Sequence, residues 1–159
     1  MNRSHPHEEP IMLPPVMPTI LLAEDSDNDA EMVLDAFREA HLANPIVRVF
    51  DGVEVLEYLR GEGKFSERPV DRPTVLLLDL EMPRLGGIET LTQIRADPAL
   101  AHLPVVILTS SRQESDAIAS WNLGVNAFVL KPVEPAQFVS ALKVLGKFWA
   151  ILNQTPPAP

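Results

Sequence analysis

Cysteine is absent from all 159 residues. That excludes disulfides, thiolate nucleophiles and cysteine metal sites. Basic residues are also scarce: 13 Lys and Arg stand against 22 Asp and Glu, for a net charge of −9. A nucleic-acid footprint needs a basic face or helix, so nucleic acid is not an expected partner. No apolar run approaches the roughly 20 residues of a membrane span. The N-terminal stretch offers no secretory core, because Pro10, Pro14, Pro15 and Pro18 interrupt its apolar residues. A cytoplasmic protein without a membrane anchor is the expectation. What remains is 46% apolar and 22% charged, the balance of one ordinary globular domain long enough to bury a core.

Residues 1–19 read as an irregular, proline-rich arm and 154–159 as a proline-rich tail, which leaves 20–153 as the domain. Within it short apolar runs read as strands: Ile20–Ala23, Ile46–Phe50, Val75–Leu80, Val105–Thr109 and Phe128–Leu130. Helical spacing separates them. Ala30, Val33, Leu34 and Phe37 mark one helical face, Val53, Leu56 and Leu59 a second, and Ile88, Leu91 and Ile94 a third. A fourth helix is expected over Glu114–Leu123 with Gly124 as its stop, and Phe138, Leu142 and Leu145 mark a fifth. Alternating strands and helices predict a doubly wound α/β fold, a five-stranded parallel sheet covered on both faces. The run VLLLDL is apolar except for Asp79, as a strand buried on both sides requires. The 61–73 loop is longer than most strand–helix connections.

In such a sheet, ligands bind beyond the carboxyl ends of the strands, where the strand order reverses. The chemistry-bearing residues fall there. Glu24 and Asp25 follow the first strand, Asp79 closes the third, Thr109 closes the fourth and Lys131 follows the fifth. The second strand, ending Phe50-Asp51-Gly52, contributes nothing evident to this rim. Converging carboxylates repel one another unless they share a proton or a cation. Oxygen ligands of this kind suit Mg2+. A phosphoryl group fits between that metal, the Thr109 hydroxyl and the Lys131 ammonium, its charge met on several sides.

The stretches "LLAEDSDNDA", "VLLLDLEMPRLGG", "VVILTSS" and "FVLKPV" resemble, in order and spacing, the motifs of bacterial response-regulator receiver domains. Four motifs together are far more specific than any one alone. "AFREAHLANPIVRVFDG" and the run from Asn126 to Trp149 are further similar to the stand-alone regulators associated with phytochromes. The resemblance implies a flavodoxin-like (βα)5 fold of strand order 2-1-3-4-5. It implies that Asp79 takes a phosphoryl group from a sensor histidine kinase, with Glu24, Asp25, Asp79 and the backbone carbonyl of Glu81 around Mg2+, for which Mn2+ can substitute. Thr109 and Lys131 match the groups that bind phosphoryl oxygens, and Phe128 the aromatic switch position. Lys131-Pro132 matches a peptide bond usually cis in the family. Glu81 and Ser111 match positions that tune phosphoryl lifetime. Such a protein is a phosphoacceptor switch with limited self-phosphorylation and autodephosphorylation, not a turnover enzyme. Because no output domain follows in the sequence, its output is expected through a downstream protein, a phosphotransfer partner or a second copy of itself.

Other readings of the same residues compete. Asp25-x-Asp27-x-Asp29 begins like an EF-hand loop, but Ala30 and Ala36 stand where Gly and a bidentate Glu are needed. Asp27 and Asp29 are then ordinary acidic residues of a helix N-terminus. Asp25-x-Asp27 also resembles the nucleophile motif of haloacid-dehalogenase-type phosphatases; that family needs an acidic pair after its lysine, and only Glu134 follows Lys131. A pseudo-receiver that binds partners without phosphorylation is the third alternative. Trp121, Phe148 and Trp149 are candidate anchors of a homodimer formed through the fourth helix, fifth strand and fifth helix.

Overall fold

Side chains alternate across a strand, so a strand buried on both faces feeds two cores at once. The computed structural model describes residues 18–67 and 72–143. Most of the proline-rich arm, the tail, the 153/154 boundary and the positions of Leu145, Phe148 and Trp149 lie outside these residues. Elements alternate as β1 (Ile20–Ala23), α1 (Asp27–Glu39), β2 (Ile46–Val49), α2 (Gly52–Arg60), β3 (Val75–Asp79), α3 (Gly87–Ala96), β4 (Val105–Thr109), α4 (Arg112–Ser120), β5 (Ala127–Leu130) and α5 (Pro135–Lys143). All strands are parallel, in the order β2-β1-β3-β4-β5. The flavodoxin-like order expected from the motifs is the one observed.

Ile20, Leu22, Leu77, Val106 and Leu108 face α1 and α5, where Phe37 and Phe138 meet at 4.9 Å between ring centroids. Leu21, Leu76, Leu78 and Ile107 face α2, α3 and α4. The central strands β1, β3 and β4 are buried throughout, while β2 and β5 are half-covered edges. Each large apolar side chain withdrawn from water contributes about 1.5–3 kcal/mol, so the sheet is a rigid platform for what its strand ends carry.

Helix ends follow local chemistry. Ser26 caps α1 by accepting from the Asp29 N–H, and Asp51 caps α2 by accepting from the Glu54 N–H. Gly61, at φ 67°, ends α2 in the left-handed conformation that glycine adopts without strain. The fourth helix begins and ends earlier than its apolar spacing implies. Ser111 accepts from the Glu114 N–H, the Ser-x-x-Glu arrangement that starts a helix. Trp121 is consequently the C-cap of α4 rather than a residue within it. Leu34 is half-buried, leaving Ala30, Val33, Ala36 and Phe37 as the buried face of α1.

Candidate functional site

The chain reverses its order across the sheet between β1 and β3, and both strands end in acid. Glu24 is fully buried and Asp79 is 4% exposed, while Asp25 is exposed. One carboxylate oxygen from each of these three residues lies within 4.8 Å of the others. The backbone is packed tightly below: a Cβ on Gly87 would come within 2.5 Å of the Asp79 carbonyl oxygen, so only glycine lets α3 begin so close to β3. Lys131 enters from the far side of β4. Its N–H donates to the Thr109 carbonyl at 2.8 Å, and its peptide bond to Pro132 is cis. Its ammonium lies 2.8 Å from Glu24 Oε2, 2.9 Å from Asp29 Oδ2 and 3.2 Å from Asp79 Oδ2.

One ammonium does not balance four carboxylates, and the imbalance appears in the proton affinities. Burial pushes Glu24 up from 4.5 to about 7; the Lys131 ammonium beside it opposes this, and the neighbouring Asp79 carboxylate adds to it. For Lys131, burial works against the charge, but the hydrogen bond to Asp29 and the adjacent Glu24 and Asp79 carboxylates outweigh it and hold the ammonium above its ordinary range. Three clustered oxygen donors, one of them buried and reluctant to ionise alone, fit a hard divalent cation.

A pH dependence follows. Folding raises the Glu24 pKa, so the native state binds more protons than the unfolded chain between 4.5 and about 7. Stability from this group is therefore full below 4.5 and is lost as pH rises through about 7. Asp51, held below its ordinary 3.8 because Arg84 and the Glu54 and Val53 N–H groups outweigh its burial, has the opposite slope, but in a lower pH window. In EDTA, melting temperatures should fall across the Glu24 window, and Glu24→Gln should flatten that fall. An unchanged slope in the variant assigns it to another group.

The remaining candidates divide. Thr109 is buried at the end of β4, but its hydroxyl accepts from the Ser111 N–H at 3.1 Å and makes long contacts to the Ser111 carbonyl and Glu114. It is turned toward the start of α4. Ser111 is occupied as the cap of that helix. Glu81 is exposed, its N–H donating to Asp79 Oδ1 at 3.3 Å. Phe128 is half-buried among the side chains of α4 and lines a groove of about 650 Å³ beside Arg112, Ala136 and Ala141. Trp121 is 53% exposed.

Two participants escape the sequence reading. Asp29 is not only a helix-start residue but a direct partner of Lys131. The second strand does contribute, through Arg48, which donates to the Glu24 carbonyl at 2.9 Å and to Asp27 at 2.8 Å and thereby ties down the acidic loop. The signal was a single arginine in the otherwise apolar run IVRVF, since a charge in a strand requires a partner. A second tie holds the loop after β3: Arg84, at φ 62°, donates to Asp51 at 2.7 Å, and the Gly52 N–H donates to the Leu85 carbonyl.

Comparison with known proteins agrees with this geometry. The family model described as the response regulator receiver domain matches residues 20–143. Response regulator Rcp1 of Synechocystis sp. is 33% identical over 139 residues, 87% of this chain and 93% of its own length. A Mn(2+)-bound form of response regulator Rcp1 superposes with a TM-score of 0.67 at 33% identity, over 89% of this chain and 99% of that one. The bacteriophytochrome response regulator RtBRR gives a TM-score of 0.82 at 48% identity, over 89% of this chain and 85% of its own. The phosphorylated cyanobacterial phytochrome response regulator RcpA gives 0.68 at 34%, over 84% and 94%. A match running from the first residue of β1 to the last of α5 makes this chain a member of the response regulator receiver domain family, related to the phytochrome response regulators.

Proposed function

We propose that the chain accepts a phosphoryl group on Asp79 from the phosphohistidine of a sensor kinase of the phytochrome type, and signals through protein contacts. The observation that carries this reading is the buried Asp79 carboxylate, held between Lys131 and the acidic pair at the strand-order reversal. An Asp79 oxygen attacks phosphorus, the nitrogen–phosphorus bond breaks, and imidazole leaves as the acyl phosphate forms. Glu24, Asp25 and Asp79, with the Glu81 carbonyl, are the groups to hold Mg2+ or Mn2+, which supplies charge neutralisation to the phosphoryl oxygens. Lys131 neutralises another oxygen, and Thr109 turns inward to bond a third. Phe128 then moves into the space Thr109 leaves.

The phosphatase alternative loses its second aspartate here: the Asp27 side chain is 90% exposed and paired with Arg48, away from the carboxylate cluster. The pseudo-receiver alternative leaves a complete acid, hydroxyl and ammonium set without a task. The deciding experiment is incubation with acetyl phosphate and Mg2+, or with a phosphorylated kinase. Mass spectrometry should find one phosphoryl group on the peptide carrying Asp79, suppressed by EDTA; its absence under both donors overturns the reading.

Self-association through α4, β5 and α5 belongs to the same proposal. Trp121, the C-cap of α4, is more than half exposed, and exposed tryptophans are favoured interface anchors. Sedimentation at tens of micromolar should find a dimer that Trp121→Ala weakens roughly tenfold or more. A wild-type monomer, with and without beryllofluoride, overturns it.

A further inference from the structure

Lys131 is shared among three anionic partners. An ammonium has three N–H donors, and three carboxylates surround this one: Glu24, Asp29 and Asp79, all within 3.2 Å. The Lys131 side chain is only 14% exposed, so bulk water does not stand ready to take over a donor. Of the three, only Asp29 accepts a hydrogen bond from Nζ, while Glu24 and Asp79 meet the ammonium as ion pairs, so a phosphoryl oxygen that bonds to Nζ competes first with Asp29. The Glu24 side chain is fully buried and the Asp79 side chain is 5% exposed: without a cation, release of either strands a buried charge, and with one their charge is already met by the metal. Both also belong to the metal-holding cluster, which Asp29 does not. Asp29 is 34% exposed, so water can replace the bond it gives up.

We propose that Asp29 is a positioning residue that competes with the incoming phosphoryl group for Lys131, and so sets how readily Asp79 is loaded. This rests on Asp79 being the phosphoacceptor and deepens that reading. In the resting state Asp29 ties the first turn of α1 to the segment after β5 across 102 residues of sequence. It holds the ammonium at the site before the phosphoryl group arrives and adds one more negative charge against it. Phosphorylation breaks the tie, so the start of α1 carries the state of Asp79 at the protein surface. An acidic residue serving only the helix dipole does neither.

Beryllofluoride binding at saturating Mg2+ tests this, with wild type, Asp29→Asn and Asp29→Glu compared. Asp29→Asn should bind beryllofluoride roughly three- to tenfold more tightly, the effect of one partly exposed charge-assisted bond. The Lys131 15Nζ resonance of the resting protein should shift in Asp29→Asn and return in Asp29→Glu, a signature that a helix-start role does not move. Equal or weaker binding by Asp29→Asn, or an unmoved Lys131 resonance, overturns the proposal while leaving Asp79 as the phosphoacceptor. Wild type that binds no beryllofluoride, or binds it equally well as Asp79→Asn, overturns both. Because Asp29 is a partly exposed residue in a helix first turn, its variants should fold, and melts of Asp29→Asn and Asp29→Ser check that they do.

Discussion

Asp79→Asn should take up no phosphoryl group from any donor that loads the wild type. The amide matches the carboxylate in shape, so β3 and its register are kept, but the amide has no anionic oxygen to attack phosphorus. Labelling should fall to background, the largest activity effect expected anywhere in the chain. A second consequence separates the role of Asp79 from simple damage. The neighbouring Asp79 carboxylate helps hold Glu24 up near 7, so replacing Asp79 by Asn should bring Glu24 back toward 4.5. The apo variant should then melt higher than wild type at pH 8 in EDTA, and its loss of stability with rising pH should be shallower. Loss of labelling with lower stability at every pH points to misfolding instead. Undiminished labelling transfers the phosphoacceptor role to another residue, and exposed Asp25 is the first to test.

The strands were legible because burial on both faces leaves little choice of residue: VLLLD is all core until its last position, where the sheet ends and chemistry begins. Strand ends also told where Glu24, Asp25, Asp79 and Lys131 come together, because parallel topology brings every carboxyl end to one rim. The errors have physical causes too. Helix α4 buries Ile118 and almost nothing else apolar, so its spacing carried little information and the Ser111–Glu114 cap decided its start. Arg48 and Asp29 were missed because their partners are distant in sequence, Glu24 lying 24 residues from the first and Lys131 102 from the second. A charge on a strand or helix announces that it needs a partner, not which one. The orientation of the Thr109 hydroxyl was also beyond sequence, because a neighbouring N–H at Ser111 competes for it.

Lys131→Met should be the most destabilising single change at the site, and conditionally so. Methionine keeps the length and flexibility of the side chain and removes only the charge. The ammonium it replaces faces a fully buried Glu24 and a nearly buried Asp79, and removing one partner of a buried ion pair costs about 3–5 kcal/mol. For a chain of this size that is roughly a 10 °C fall in melting temperature, expected at pH 8 in EDTA. The Lys131 ammonium is the larger of the two groups that restrain the Glu24 pKa, the other being the Ser26 N–H, so without it Glu24 rises further above about 7. The native variant then binds a proton more tightly than its unfolded chain over a wider window, and its stability must recover as pH is lowered through that window toward 4.5. Divalent cation at pH 8 should restore stability as well, by meeting the same carboxylates. Neither treatment should restore normal phosphoryl retention, because the ammonium that meets the phosphoryl oxygen is still missing. Thermal melts at pH 5 and pH 8, with EDTA or Mg2+, distinguish the cases: a deficit independent of pH and metal would place Lys131 in ordinary packing, and no deficit at pH 8 in EDTA would mean the buried carboxylates do not depend on it.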